Sequence, residues 1–296
     1  MSIVVTGATG ALGRLVVDEL LARVPASEVA AVVRDKEKAA HLAARGVELR
    51  IADYSEPATL AGAFEAGDRV LLISGSEVGR RVPQHTAVIE AAKAAGVAQL
   101  AYTGILGGPG ADFSLAAEHK ATEQLILDSG LPYTFLRNGW YTENYTANLA
   151  PVLAHGAVVS NAGEGRVASA ARADYAAAAA AVLTGDGHLG RAYELSGDVA
   201  WSFAEYAAEA AAASGKPVAY TPLTPEARRP DRRGRARRLR GDPGRRRPRH
   251  RAGPAGRHLG RPRPSDRPPH HPAGRLDPRR RHRVTPRRQD RIAVRA

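Results

Sequence analysis

The chain has 296 residues, of which 44% are hydrophobic; it can therefore bury a sizeable core, and a wholly disordered or fibrous protein is excluded. It contains no cysteine, which excludes disulfides, thiolate metal ligands and a cysteine nucleophile. The formal net charge of +13 is unevenly divided, since residues 1–226 carry 17 Lys and Arg against 25 Asp and Glu, whereas residues 227–296 carry 26 Arg against 5 Asp.

Up to about residue 226, short β-branched runs alternate with longer amphipathic segments, which is the pattern of βαβ units that form a parallel sheet. The runs are short and nearly all apolar, as expected of strands covered on both faces, and they predict strands at 3–6, 29–33, 47–51, 69–74, 99–103 and 133–136. Apolar residues at helical spacing predict a helix after the first strand: Leu12, Leu15, Val16 and Leu20. Another helix is predicted from Pro83 to residue 95, just before Gly96. We therefore predict a doubly wound, Rossmann-type α/β domain over residues 1–137.

Beyond residue 136 this regular alternation loosens. Helices are predicted at 174–183 and 202–213, and strands at 192–195 and 218–220. We interpret residues 138–226 as a small, incomplete substrate lobe from which the chain returns to the core. A lobe at the carboxyl edge of such a sheet is where a substrate pocket is usually assembled.

The segment 227–296 has a different composition, because 26 Arg and 11 Pro leave too few aliphatic residues for a core. We predict a disordered basic tail. Two explanations of it stay open: a natural arm that binds nucleic acid, or the frameshifted translation of an alanine-rich helical ending. GC-rich alanine codons read in a shifted frame give arginine and proline codons, and the segment has no lysine, so we favour the frameshift.

A glycine motif follows the first predicted strand directly: Thr6-Gly7-Ala8-Thr9-Gly10-Ala11-Leu12-Gly13. Gly7 permits a tight turn, Gly10 allows the backbone to approach a pyrophosphate, and Gly13 lets the helix pack closely on the sheet. The motif predicts a dinucleotide site whose phosphates lie over Thr9, Gly10, Ala11 and Leu12. A glycine-rich turn that binds nothing is the alternative, but strand, spacing and helix all agree with the dinucleotide site.

Further cofactor contacts are predicted where later strands end. Arg34 stands where an acid that binds the ribose 2′-hydroxyl of NAD would be expected, and a guanidinium there can pair with the 2′-phosphate of NADP. A solvated arginine is the alternative. By their order in the fold, Asp53 is placed near the adenine, Ser74 and Gly75 near the nicotinamide ribose, and Thr103 near the nicotinamide ring.

These motifs resemble those of the NmrA-like atypical short-chain dehydrogenase/reductases, and specifically the type 2 NAD(P)H:quinone oxidoreductases. The resemblance runs from Met1 to about Pro225 and begins with Thr6-Gly7-Ala8-Thr9-Gly10, a glycine motif that many dehydrogenases share. The diagnostic segments are later in the chain: Leu136-Arg137-Asn138-Gly139-Trp140-Tyr141 and Arg172-Ala173-Asp174-Tyr175. It implies an NADPH-dependent two-electron reduction of quinones in a cleft between the nucleotide domain and a small C-terminal domain. Residues 227–296 depart from the family completely, so the resemblance does not include the helices that complete the small domain.

Ordinary short-chain dehydrogenases use Tyr-x-x-x-Lys, in which the lysine lowers the pKa of the tyrosine, and none of the nine tyrosines here has a lysine four residues later. Alcohol–ketone catalysis of that kind is therefore not expected. Candidate catalytic residues are Lys120, near the place where related reductases carry a lysine, and Tyr141. A surface lysine paired with Glu123 is the alternative for Lys120. Asn138, Trp140 and Tyr141 follow the sixth strand and are candidate substrate contacts, the alternative being packing between lobes.

The leading hypothesis is an NADPH:quinone oxidoreductase; the alternative is a redox-sensing regulator that binds the dinucleotide without turning it over. We expect a small-molecule quinone as substrate, and nucleic-acid binding only if the basic tail is natural. A homodimer is compatible with this organisation. The ten histidines show no metal-binding spacing, so we expect no metal. No apolar run reaches the roughly 18 residues of a membrane span and no basic leader precedes the first strand, so we expect a cytoplasmic protein.

Overall fold

The computed structural model describes residues 1–223 and the backbone of a strand at Ile292–Arg295; the predicted tail otherwise lies outside the described residues. Within the described part, seven parallel strands form one sheet. These are β1 (Ile3–Thr6), β2 (Val29–Val33), β3 (Glu48–Ile51), β4 (Arg69–Leu72), β5 (Gln99–Ile105), β6 (Tyr133–Asn138) and β9 (Arg191–Gly197). The predicted Rossmann-type α/β class is confirmed.

The strands lie in the order β3-β2-β1-β4-β5-β6-β9. β1 pairs with β2 on one side, with Ile3 opposite Val29, and with β4 on the other, with Ile3 opposite Arg69. The chain therefore winds outward to β3 and then returns to start again at β4. Such a reversal opens a crevice at the carboxyl ends of the two strands where ligands bind in open α/β sheets.

Helices cover both faces of the sheet. One face carries α1 (Ala11–Leu21), α2 (Ala40–Ala43) and α7 (Arg172–Thr184), and the other carries α3 (Arg81–Ala95) and α4 (Ala116–Ser129). Side chains alternate between the two faces along each strand, so Val5 packs against the first layer and its neighbour Val4 against the second. Both are fully buried, which explains the uninterrupted apolar runs of the strands.

β4 ends at Leu72, two residues before the predicted end at residue 74. The reason lies in two threonine hydroxyls at the ends of the flanking strands. The N–H of Ile73 donates to Thr6 Oγ1 (3.1 Å), and the N–H of Ser74 donates to Thr103 Oγ1 (2.9 Å). Threonine hydroxyls thus take the place of backbone carbonyls as acceptors for the N–H groups of Ile73 and Ser74. As a result, β4 separates from its neighbouring strands at the edge of the sheet where the crevice lies.

A small lobe follows β6. It contains α5 (Glu143–Thr146), α6 (Leu149–His155), β7 (Ala157–Ser160), β8 (Arg166–Val167), β10 (Trp201–Ser202), α8 (Phe203–Ser214) and β11 (Ala219–Pro222). β7 and β11 form a parallel pair, and β8 and β10 form an antiparallel pair. The predicted helix at 202–213 begins one residue later, because Ser202 is its N-cap: the Ser202 hydroxyl accepts the N–H of Glu205 (3.2 Å).

Between the two halves of this lobe, the chain returns to the main domain through α7 and β9. β9 extends the main sheet beside β6, with Leu195 opposite Asn138, and α7 packs on the face that carries α1. At the outer edge, β12 (Ile292–Arg295) pairs with β9 in antiparallel. This strand was not among those predicted, since residues 227–296 were expected to be disordered. None of the helices in the described part combines the length and apolar character that a membrane span needs.

Candidate active site

The glycine motif forms the turn between β1 and α1. Gly7 has φ +59°, a conformation that favours glycine, and its carbonyl accepts the N–H of Gly10 (2.9 Å). A Cβ at Gly13 would lie 2.3 Å from the oxygen of Gly7 and 2.7 Å from Cα of Ala8. Only glycine therefore allows α1 to pack this closely on the turn.

The exposed side of this turn is suited to an anion. Gly10 and Ala11 are exposed at the start of α1, Thr9 is half-buried beside them, and Leu12 faces the core. The first turn of a helix leaves N–H groups without helical partners and carries partial positive charge. A Cβ added at Gly10 would lie 3.1 Å from the oxygen of Gly7, so the turn leaves little room for a side chain here. The site therefore fits a diphosphate that lies against the backbone.

Arg34 and Asp53, two of the predicted cofactor residues, lie side by side. Arg34 follows β2 and Asp53 follows β3, and Arg34 Nη1 is 3.8 Å from Asp53 Oδ2. The Arg34 side chain is 69% exposed, so its remaining donors are free to reach a ligand. Asp53 also accepts the N–H of Ser55 through Oδ1 (2.8 Å), which fixes the carboxylate. This arrangement presents a fixed cation one strand away from the glycine turn.

The crevice between β1 and β4 is bordered by a chain of hydroxyls. The Tyr54 hydroxyl donates to Thr6 Oγ1, which in turn donates to the carbonyl of Leu71 (2.9 Å). Burial raises the pKa of Tyr54, so the phenol is neutral. Together with Thr103 and Ser74, these bonds join the ends of β1, β4 and β5 to the loop after β3.

Gly75, predicted to lie near the nicotinamide ribose, is held on three sides by α3. Its N–H donates to His85 Nε2 (2.9 Å), and its carbonyl accepts the Nε–H of Arg81. A Cβ at this position would lie 3.1 Å from Gln84 Oε1. Gln84 also donates to the Ser55 hydroxyl (2.9 Å), which connects this loop to the loop after β3. None of these three helix residues was identified from the sequence, because nothing local distinguishes them from other helix positions.

The predicted substrate residues surround the end of β6. Asn138 is buried, and its Nδ2 donates to the Tyr141 hydroxyl (3.5 Å). Asn138 Oδ1 is buried and has no hydrogen-bond partner among the described residues. Buried polar atoms are nearly always satisfied, so this oxygen points to a ligand or water that completes it. The Trp140 side chain, by contrast, is 48% exposed, as a wall of a cleft would be.

Tyr141 is fixed by its surroundings. The edge of Tyr175 meets its ring at 5.2 Å between centroids, and the guanidinium of Arg172 lies 4.7 Å from its ring centroid. Burial raises the pKa of Tyr141, so the phenol holds its proton at neutral pH. A neutral phenol at the carboxyl edge can donate a proton or a hydrogen bond.

Lys120 lies on the side of α4 that faces β6, in a groove with Glu123, Phe135 and Arg137. Glu123, which the sequence offered as a partner for Lys120, pairs with Arg137 instead. Arg137 donates to both carboxylate oxygens of Glu123, at 2.9 and 2.8 Å, and no ion pair joins Lys120 to Glu123 in the described part of the chain. The residues that line this groove include none of the predicted cofactor residues. The structure therefore groups Tyr141, Asn138 and Trp140, and places Lys120 elsewhere.

Comparisons with known proteins identify the family of this chain. Residues 7–186 match the NAD(P)H-binding family. The chain is 51% identical to quinone oxidoreductase 2 of Escherichia coli (strain K12) over 222 residues, which cover 75% of this chain and 78% of that protein. It is 36% identical to an NAD(P)H azoreductase of Xenophilus azovorans, over 76% of this chain and 78% of the relative.

Solved structures give the same result. The crystal structure of the NADPH-dependent quinone oxidoreductase from Escherichia coli in complex with NADPH matches with a TM-score of 0.73, at 51% identity, over 75% of this chain and 78% of that one. Citrobacter sp. triphenylmethane reductase complexed with NADP(H) matches with a TM-score of 0.73 at 44% identity, over 76% of this chain and 80% of that one. The resemblance to the type 2 quinone oxidoreductases is confirmed, and the chain belongs to the NAD(P)H-binding family.

Proposed function

We propose that this protein catalyses the NADPH-dependent two-electron reduction of quinones. The observation that carries the proposal is the glycine turn packed closely against α1, with Arg34 exposed after the neighbouring strand β2, in a chain that is 51% identical to a quinone oxidoreductase. Overall, a quinone, NADPH and one proton give a hydroquinone and NADP⁺. Bound NADPH would supply the hydride, and the quinone would accept it.

The residues of the chain have separate roles in this proposal. The N-terminus of α1 holds the diphosphate, and Arg34 pairs with the 2′-phosphate. Thr103 and Gly75 border the nicotinamide half at the ends of β5 and β4. Asn138 Oδ1 accepts a hydrogen bond from the bound ligand, which would satisfy its buried lone pairs.

Tyr141 is the proposed proton donor. Its neutral phenol can hydrogen-bond the quinone oxygen that gains charge as the hydride arrives, and the proton is replaced from solvent. An electron-poor quinone needs little more than correct placement, so binding geometry supplies most of the rate. Trp140 offers an exposed aromatic face against which a flat ring can stack. The position of Lys120, among Glu123 and Arg137, favours Tyr141 over Lys120 in this role.

The test is to mix the full chain with NADPH and 1,4-benzoquinone and to follow NADPH oxidation together with hydroquinone formation. One hydroquinone per NADPH is expected, with slower oxidation of NADH. A Gly10→Val variant is the control, since it should abolish turnover. Tight NADPH binding without turnover of any quinone would instead support the redox-sensing regulator. The regulator is not favoured, because the relatives at 51% and 36% identity are named as an oxidoreductase and an azoreductase, which are both enzymes.

A further inference from the structure

The peptide of Gly75 is held by a chain of hydrogen bonds that the proposed chemistry does not use. The N–H of Gly75 donates to His85 Nε2 (2.9 Å), and the other ring nitrogen of His85, Nδ1, lies 2.9 Å from Thr122 Oγ1. The Thr122 hydroxyl is itself within 2.9 Å of the carbonyl of Glu118. The chain thus runs from the loop after β4, through α3, to α4.

The positions of the protons in this series of hydrogen bonds follow from the groups at its two ends, the N–H of Gly75 and the carbonyl of Glu118. Because an N–H of Gly75 points at Nε2, that nitrogen must be the acceptor, and the ring proton is on Nδ1. Nδ1–H then donates to Thr122, whose own proton goes to the carbonyl of Glu118. Burial lowers the pKa of His85 to about 3, with the nearby His119 and Arg81 acting in the same direction. The ring is therefore neutral and has one tautomer.

The surroundings fix the ring as well as its proton. His85 is fully buried, and its ring meets Tyr102 at 5.6 Å and Tyr54 at 6.4 Å between centroids, both edge to face. A buried neutral histidine whose two ring nitrogens are both hydrogen-bonded is stable in a protein core, so these features alone do not indicate a functional role. What distinguishes it is its partner: the one backbone N–H it receives belongs to a residue that borders the proposed nicotinamide half of the site.

We propose that His85 is a positioning residue that fixes the Gly75 peptide in the conformation that receives the nicotinamide ribose. The inference rests on the proposed NADPH site. His85 acts only through Gly75 and touches neither cofactor nor substrate. The adenine half is held separately, by the glycine turn and by Arg34 beside Asp53. Loss of the His85 acceptor should therefore weaken one half of the cofactor site and leave the other half intact.

This separation allows a test with two ligands. NADPH occupies both halves of the site, whereas adenosine 2′,5′-bisphosphate occupies only the adenine half. Two variants of nearly equal size differ in the acceptor: in His85→Gln an amide oxygen can take the place of Nε2, and in His85→Met a methyl group stands there. Dissociation constants for both ligands are measured on the full chain by calorimetry, with melting temperatures as the folding control.

In His85→Met the Kd of NADPH should rise about tenfold, because the N–H of Gly75 loses its acceptor and the loop reorganises. The Kd of adenosine 2′,5′-bisphosphate should change less than about twofold, and His85→Gln should recover most of the NADPH affinity. Equal weakening of both ligands, or no weakening, overturns the inference. Thr122→Val, which removes only the acceptor of Nδ1–H, should shift NADPH in the same direction and serves if His85→Met does not fold. A wild-type chain that binds neither ligand would refute the proposed cofactor site itself.

Discussion

Arg34 Nη1 lies 3.8 Å from Asp53 Oδ2 across the ends of β2 and β3, and this pair keeps the exposed guanidinium beside the loop after β3. At that distance, with Arg34 69% exposed, the attraction is weak in water and contributes little to folding. Its effect is on placement, since the cation is held near the proposed position of the 2′-phosphate while its other donors stay available.

Arg34→Ala should remove the preference for NADPH over NADH. We expect the wild type to bind NADPH at least about tenfold more tightly, which corresponds to about 1.4 kcal/mol from one charge-assisted pair. Kd values for both cofactors should become nearly equal in the variant, mainly through weaker NADPH binding. Arg23→Ala, which removes another exposed arginine that pairs with Glu19, is the control and should leave the preference unchanged. A preference that survives in Arg34→Ala would contradict the assignment.

Substitutions at Gly10 and Gly13 should affect different properties, cofactor binding at Gly10 and stability at Gly13. Gly10→Val should fold, with an unfolding free energy within about 1 kcal/mol of the wild type, but should not bind a dinucleotide, because the new side chain occupies the diphosphate space. Gly13→Ala should lose at least about 2 kcal/mol of stability, because its Cβ would overlap the backbone of Gly7 and Ala8. Denaturant titrations and cofactor binding on the two variants check both statements. A folded Gly10→Val that binds NADPH would disprove the phosphate loop.

Tyr141→Phe should lower kcat for quinone reduction by about tenfold, which is less than the usual effect of a lost proton donor because water can also protonate the hydroquinone. The KM for NADPH should not change. Lys120→Ala, compared in the same assay, should lower kcat less than about threefold, since Lys120 lies in the groove with Glu123 and Arg137. The reverse order of effects would move the catalytic role to Lys120.

Acid should destabilise the protein through two buried histidines. Burial lowers the pKa of His85 to about 3 and of His119 to about 4, from 6.5 in the unfolded chain. The unfolded state therefore binds more protons, so the full stability is present above about pH 6.5 and falls progressively until the pH reaches the folded-state pKa values, about 4 for His119 and about 3 for His85. Near pH 5 each histidine should cost about 2 kcal/mol. Urea titrations at pH 7 and pH 5 measure this, and His119→Gln should flatten the dependence.

The buried pair of Arg50 and Asp68 should be a stability centre away from the active site. Asp68 is fully buried, lies 2.7 Å from Arg50 Nη1, and accepts the N–H groups of Ser2 and Glu65. Asp68→Ala leaves those two N–H groups without an acceptor and takes away the buried carboxylate beside Arg50, which keeps only the more exposed Glu48 (3.0 Å) and Glu65 (3.8 Å). The variant should therefore cost about 3 to 5 kcal/mol. The exposed partner of Arg45, Asp18, offers the matched control, since Asp18→Ala should cost less than about 1 kcal/mol. Similar losses for both variants would argue against this difference.

The sequence predicted those parts of the molecule that depend on neighbours in the chain. The six apolar runs and the spacing from Gly7 to Gly13 are local patterns, so the first six strands and the glycine turn were confirmed. The pairing of β9 with β6 joins residues more than 50 positions apart, and no local pattern of hydrophobic residues indicates it. For the same reason the contact of His85 with Gly75 and Thr122 was missed, because a histidine inside a helix carries no sign of its partner.

The contact of Gly13 with Gly7 also has a consequence for how fast a dinucleotide binds. A glycine-rich loop is usually the segment that loses most conformational entropy when it closes on a ligand. Here the helix already holds the loop at van der Waals distance, so that entropy is lost when the chain folds. Association should then approximate the meeting of two rigid bodies, with a single kinetic phase whose rate rises linearly with cofactor concentration and no slower rearrangement after it.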